Sequence, residues 1–125
     1  MVIHCGQSYL APYSASKAAL VGLARSLASE LASAGVTSNV VAPGPIDTEL
    51  LRSLGDKRLD ELRAVVPTGR LGDPREVAAV VGFLCGDGSS FVTGAMIPVD
   101  GGLLASGGGL QVRRRSTRST RAPTP

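Results

Sequence analysis

The chain of 125 residues holds one histidine, two cysteines and no run of 18 consecutive apolar residues. Without such a run, no membrane-spanning helix is expected. Cys5 and Cys85 stand far apart with no histidine or carboxylate at ligand spacing, so neither a disulfide framework nor a zinc site is expected, and both thiols read as buried or incidental. His4, a lone imidazole beside the amino terminus, is given no role. The opening MVIHCGQSYLAP lacks the basic region, the apolar stretch and the processing site of a secretory signal, so the chain reads as cytoplasmic. No acid follows Asp100. Residues 1 to 112 carry eight Lys or Arg against ten Asp or Glu, a net of −2, and the other five arginines fall between Arg113 and Arg121. The overall +3 therefore describes a mildly acidic body with a basic end.

What is present fits one globular domain, with 43% hydrophobic residues and a length that allows no more. Tyr13-Ser14-Ala15-Ser16-Lys17 opens a helical pattern that runs from Ser14 to about Ala34, with Leu20, Leu23, Leu27 and Leu31 as its expected buried stripe and Gly35 as its stop. Four-residue spacing puts Tyr13 and Lys17 on one helical face. An ammonium beside a phenol favours the phenolate, and bringing a phenol into the neutral range takes roughly 4 kcal/mol of differential stabilisation. That is the chemistry of proton transfer. Read alone, the same spacing more often means a tyrosine packing its ring at a helix start with a lysine reaching water.

Val36 to Ala42 fits a buried strand of a parallel sheet, ended by Pro43, Gly44 and Pro45. Thr48 to Val66 reads as two short amphipathic helices broken near Gly55. Asp73-Pro74-Arg75-Glu76 carries three concurring signals for a helix start: a capping Asp, Pro at the first position and Glu three residues after the cap. That helix is expected to reach about Cys85, with Val77, Val80, Val81 and Leu84 on its core side. A turn at Thr93-Gly94 precedes a final strand, Ala95 to Val99.

In three successive blocks, YSASKAALVGLARSLASELA, NVVAPGPIDTEL and PTGRLGDPREVAAVVGFLCGDGSSFVTGAMIPVDGG, the sequence resembles the short-chain dehydrogenase/reductase family. The resemblance spans most of residues 9 to 103. It implies an α/β fold, a Rossmann-type doubly wound parallel sheet, of which this would be the C-terminal portion, residues 1 to 104. It implies NAD or NADP as cofactor and a small-molecule carbonyl or alcohol as substrate. Tyr13 would exchange a proton with the carbonyl oxygen, and Lys17 would favour its phenolate and hold the nicotinamide ribose. Pro43, Gly44, Ile46 and Thr48 would border the nicotinamide, and the segment from Thr48 to Val66 would be a lid over the substrate. The block GRLGDPREVA with SSFVTGAMIPVDGG is most similar to the beta-ketoacyl-ACP reductases of the family, which makes a 3-oxoacyl thioester the first expected substrate.

Other parts of the family pattern have no counterpart. No glycine-rich turn of the type that receives a pyrophosphate at a helix start precedes Tyr13. Ser8 stands only five residues upstream of it, too close to serve as the family's catalytic serine, and the relay asparagine is missing. The N-terminal cofactor-binding half is thus expected to lie outside this sequence. A strand pair is marginal alone, so association with another copy, a homo-oligomer, is expected. Two other readings remain open from the residues: a non-catalytic fragment that offers only an interaction surface, and a nucleic-acid binder acting through its arginines. Residues 105 to 125, rich in Gly, Arg, Ser and Thr, read as a disordered basic tail. No aromatic residue interleaves these arginines, so no specific nucleic-acid site and no membrane site is expected.

Overall fold

The computed structural model describes residues 9 to 107. Helix α1, Ala11–Leu31, begins three residues before the expected start. Pro12 does not prevent this, because a first-turn residue has no intrahelical N–H bond to lose, and Ser14 N–H already bonds Leu10 O at 2.8 Å. A short 3₁₀ turn, Ala32–Ala34, leads to Gly35 in the left-handed conformation at φ 75°, the stop that the sequence predicts.

Strand β1 is Val40–Pro43 and β2 is Met96–Val99. They pair in parallel, with Val40 opposite Met96 and Pro43 opposite Val99. Residues 36 to 39, expected in the strand, stay outside it because side-chain bonds intervene. The Asn39 carboxamide donates to Val92 O at 2.7 Å and accepts from Ala95 N at 3.0 Å, while Ser38 N–H donates to Thr93 Oγ1 at 3.1 Å. Asn39 thereby ties the two chain segments together just before the ladder starts.

Between the strands lie α2, Glu49–Arg52, α3, Asp56–Val65, and α4, Pro74–Leu84. The break falls at Gly55, whose φ of 85° favours glycine. The α4 start has the full capping box: the Asp73 carboxylate accepts from Arg75 N, and Glu76 Oε2 accepts from Asp73 N at 2.7 Å. Helix α1 packs on β1, and α4 packs on both strands.

The buried apolar residues are Ala24, Ala28, Ala42, Leu59, Val66, Leu71 and Leu103. The leucine stripe expected on α1 is not among them. Leu20, Leu23 and Leu31 are 46%, 55% and 37% exposed, and Leu27 is half-buried. The buried face of α1 is made of Ala24 and Ala28, because small side chains let a helix backbone approach closely; a Cβ placed on Gly94 would stand 3.5 Å from the Ala28 methyl. On α4 likewise, Val77, Val80 and Leu84 are half-buried, whereas Val81, expected toward the core, is exposed.

Beyond β2, the Asp100 carboxylate accepts from Gly102 N at 2.9 Å and Leu104 N at 2.8 Å. This folds Leu103 inward to 1% exposure. Turn hydrogen bonds continue to Gly107 N. The tail expected from residue 105 lies, from residue 108 on, outside the described residues, as do Cys5, His4 and Ser8. Cys85 is a free, exposed thiol. Among the described residues, no helix is long and apolar enough to cross a membrane and no group of three or more His, Cys, Asp or Glu could hold a metal ion.

Candidate active site

Tyr13 and Lys17 both project from the first turns of α1, one turn apart. The Lys17 ammonium sits over the Tyr13 ring, 5.5 Å from its centroid. They therefore share a helical face, as their spacing predicts. Tyr13 is 49% exposed, and Ser16 Oγ donates to Tyr13 O at 2.8 Å. Among the described residues Lys17 forms no salt bridge, so its three donors remain available.

Of the other expected site residues, Pro43 is the last residue of β1 itself, where the sequence predicts that it stops the strand, and Gly44, Ile46 and Thr48 belong to the loop that leaves it. A short connection joins α1 to β1, so the two packed elements run antiparallel and the first turns of α1 lie toward the carboxyl end of β1. In parallel α/β sheets this end is where ligands bind. The loop itself is held from two sides. Gly44 N–H bonds Val99 O at 3.0 Å, and a Cβ at Gly44 would stand 2.7 Å from Asp100 Cα. Ile46 forms an isolated parallel bridge with Gly72, through Asp47 N to Gly72 O at 2.8 Å and Gly72 N to Pro45 O at 2.9 Å. Pro43 and Thr48 are exposed, and Gly44 and Ile46 half-buried. Thr48 caps α2, its Oγ1 accepting from Leu51 N at 3.2 Å.

A cavity of about 270 Å³ opens beside this loop, walled by Pro45, Ile46, Val66, Thr68, Pro98 and Asp100 among others. Tyr13 and Lys17 are not among its walls. The structure thus leaves the expected residues in two groups, the Tyr13–Lys17 pair on α1 and the Pro43–Thr48 segment beside the cavity.

Two ion pairs that shape this region, Asp47–Arg52 and Arg70–Glu76, have no signal in the sequence. Arg52 grips Asp47 through two bonds, Nε to Oδ1 at 2.7 Å and Nη2 to Oδ2 at 3.0 Å. Hydrogen bonding to Arg52 holds the Asp47 carboxyl below the usual range. Arg70 grips both oxygens of Glu76 at 2.7 and 2.8 Å and also donates to Leu71 O. The Arg70 guanidinium, with the Asp73 N–H second, holds Glu76 at about 2, and Arg75 holds Asp73 at about 2. An i,i+5 or i,i+6 charge pair has no helical periodicity to announce it; only the turns between the partners create it.

The nicotinamide and ribose part of a dinucleotide suits the donors present: the phenol of a half-exposed tyrosine, an ammonium on the same face with no salt bridge among the described residues, and a threonine hydroxyl. The pyrophosphate part finds no glycine-rich turn at a helix start among the described residues.

The parallel strand pair, with Tyr-x-x-x-Lys opening the helix before β1, agrees with the comparisons. The chain belongs to the short-chain dehydrogenase/reductase family. Residues 2–104 match the family model described as enoyl-(acyl carrier protein) reductase. The chain is 50% identical over 93 residues to the 3-oxoacyl-[acyl-carrier-protein] reductase MabA of Mycobacterium tuberculosis, covering 74% of this chain and 38% of that protein. A solved structure described as an NAD(P)-dependent gluconate 5-dehydrogenase of Beutenbergia cavernae with bound NADP superposes with a TM-score of 0.78 at 42% identity, over 84% of this chain and 43% of that one. A blue fluorescent protein from a metagenomic library, in complex with NADPH, gives a TM-score of 0.74 at 42% identity, over 81% and 40%. The chain thus spans about two-fifths of the length of the relatives it matches.

Proposed function

We propose that this chain carries the proton-transfer part of an NAD(P)-dependent carbonyl or alcohol oxidoreductase. The observation that supports it is the Lys17 ammonium over the Tyr13 ring on one accessible face of α1, in a chain of this family. Tyr13 donates its hydroxyl proton to the carbonyl oxygen, or accepts one from an alcohol in reverse. Lys17 stabilises the phenolate left behind and offers its remaining donors to ribose hydroxyls. Pro43, Gly44, Ile46 and Thr48 would border the nicotinamide. NAD(P), when bound, supplies the hydride. The kinship with a 3-oxoacyl-[acyl-carrier-protein] reductase favours a 3-oxoacyl thioester as substrate, and the exposed leucines of α1 favour a homo-oligomer.

The test is a chimera in which residues 9 to 104 replace the matching part of the Mycobacterium tuberculosis reductase. It is expected to reduce acetoacetyl thioester with NADPH, and Tyr13→Phe is expected to lower kcat by about 10²- to 10⁴-fold, the range of general acid catalysis. A folded chimera that is active and indifferent to Tyr13→Phe removes the reading. The 125-residue chain alone, without a pyrophosphate turn, is expected to show no turnover. Measurable NADPH-dependent reduction by the chain alone, abolished by Tyr13→Phe, would show that the turn is dispensable. The same exposed leucines favour a second reading, a fragment that serves as an interaction surface; a folded but inactive chimera is its expected result.

A further inference from the structure

The start of the excursion between the strands is held by polar contacts. Helix α2 has four residues and no buried side chain, and its Leu50 is 80% exposed. A helix so short lacks the repeated hydrogen bonds that would make it persist alone. Thr48 Oγ1 accepts from Leu51 N at 3.2 Å and Thr48 O from Arg52 N at 2.9 Å. The Arg52 guanidinium then reaches back to both oxygens of Asp47, whose own N–H is fixed to Gly72 O.

We infer that Asp47 and Arg52 are a positioning pair, a latch that keeps α2 folded back on the loop after β1 and thereby fixes where Thr48 and Leu50 stand. Bidentate geometry gives the pair direction as well as attraction. Both side chains are solvated, 63% exposed for Arg52 and 39% for Asp47, so the pair is weak enough to open and sensitive to salt. What lies beyond the latch is anchored differently. Leu59 and Val66 are buried, so α3 stays in place when α2 leaves, and Gly55 supplies the hinge between them. The opening unit is therefore residues 48 to 55. Its importance for catalysis rests on the reading of Thr48 as a cofactor-facing residue; the latch itself rests on the contacts alone.

Amide hydrogen exchange on the full chain tests it without any measurement of activity, so failure of the catalytic reading and failure of the latch are separable. In Arg52→Gln, exchange at Leu51, Arg52 and Ser53 is expected to accelerate about two- to fivefold, the range for an exposed ion pair, with α4 unchanged. Asp47→Asn should reproduce the effect, and Arg52→Lys, which keeps the charge but loses the fork, should fall between. Raising NaCl from about 0.05 to about 0.5 M should accelerate the same amides in the wild type and not in Arg52→Gln. Unchanged exchange at these amides in Arg52→Gln overturns the inference. Equal acceleration across α2 and α4 also overturns it, since the pair would then support the whole fold rather than position α2.

Discussion

At Gly44 a hydrogen is the largest side chain that fits, because the chain leaving β1 runs against Asp100 as it leaves β2. Gly44→Ala is expected to lower stability by about 1–3 kcal/mol, the range for an inserted methyl that forces backbone to shift. Gly82, inside α4, has nothing within 4 Å of its ideal Cβ. Gly82→Ala is expected to raise stability by about 0.5–1 kcal/mol through helix propensity alone. Urea unfolding of the two variants reads the opposite signs. The sequence marks Gly44 as loop punctuation and, through family resemblance, as a cofactor neighbour. Its steric requirement is invisible there, because the atoms that exclude a methyl belong to Asp100, far along the chain beyond β2. Asn39 is hidden for the same reason: its partners, Val92 and Ala95, are distant in sequence. Tyr13 and Lys17 are legible because four-residue spacing on a helix is local geometry.

Among the elements, α4 is the one the sequence specifies best at its start, and its cap makes stability depend on pH. Asp73 is lowered from 3.8 to about 2 and Glu76 from 4.5 to about 2, in each case chiefly by hydrogen bonding to an arginine. A carboxyl whose folded pKa lies below its unfolded value stabilises the fold above the unfolded pKa and loses that contribution as pH falls toward the folded one. Stability is therefore expected to decline between about pH 4.5 and pH 2. Glu76→Gln should flatten that decline, as measured by thermal unfolding across the window. A decline equally steep in Glu76→Gln would assign it to other carboxyls. The α1 stripe misleads because leucine periodicity reports an apolar face without naming what covers it. Alanines 24 and 28 take the buried position instead, so Leu23→Gln is expected to change monomer stability by no more than about 0.5 kcal/mol. Ala28→Leu, forced against the Gly94 turn, is expected to cost about 1–3 kcal/mol.

For the molecule as a whole, the sequence conveys the class of fold through the order helix, strand, helices, strand, and the parallel pairing follows from the long connection between the strands. The sequence places the end of the folded portion at residue 104, and the family model ends there too; the Asp100 carboxylate bonds Leu104 N and seats Leu103 at 1% exposure. Turn bonds run on to Ser106 and Gly107. Removal of residues 108 to 125 is therefore expected to leave the unfolding midpoint unchanged. Removal from Leu103 onward is expected to cost about 2–5 kcal/mol, as for loss of a buried leucine, which would unfold a small domain of marginal stability. The same pair of truncations tests the arginines. The five between Arg113 and Arg121 should give the full chain a weak, sequence-indifferent affinity for polyanions that falls steeply with salt through counterion release. The chain ending at Gly107 should have lost it while keeping its fold. If the full chain instead selected one nucleic-acid sequence at physiological salt and the shorter one did not, the basic end would be a recognition element rather than a solvated extension.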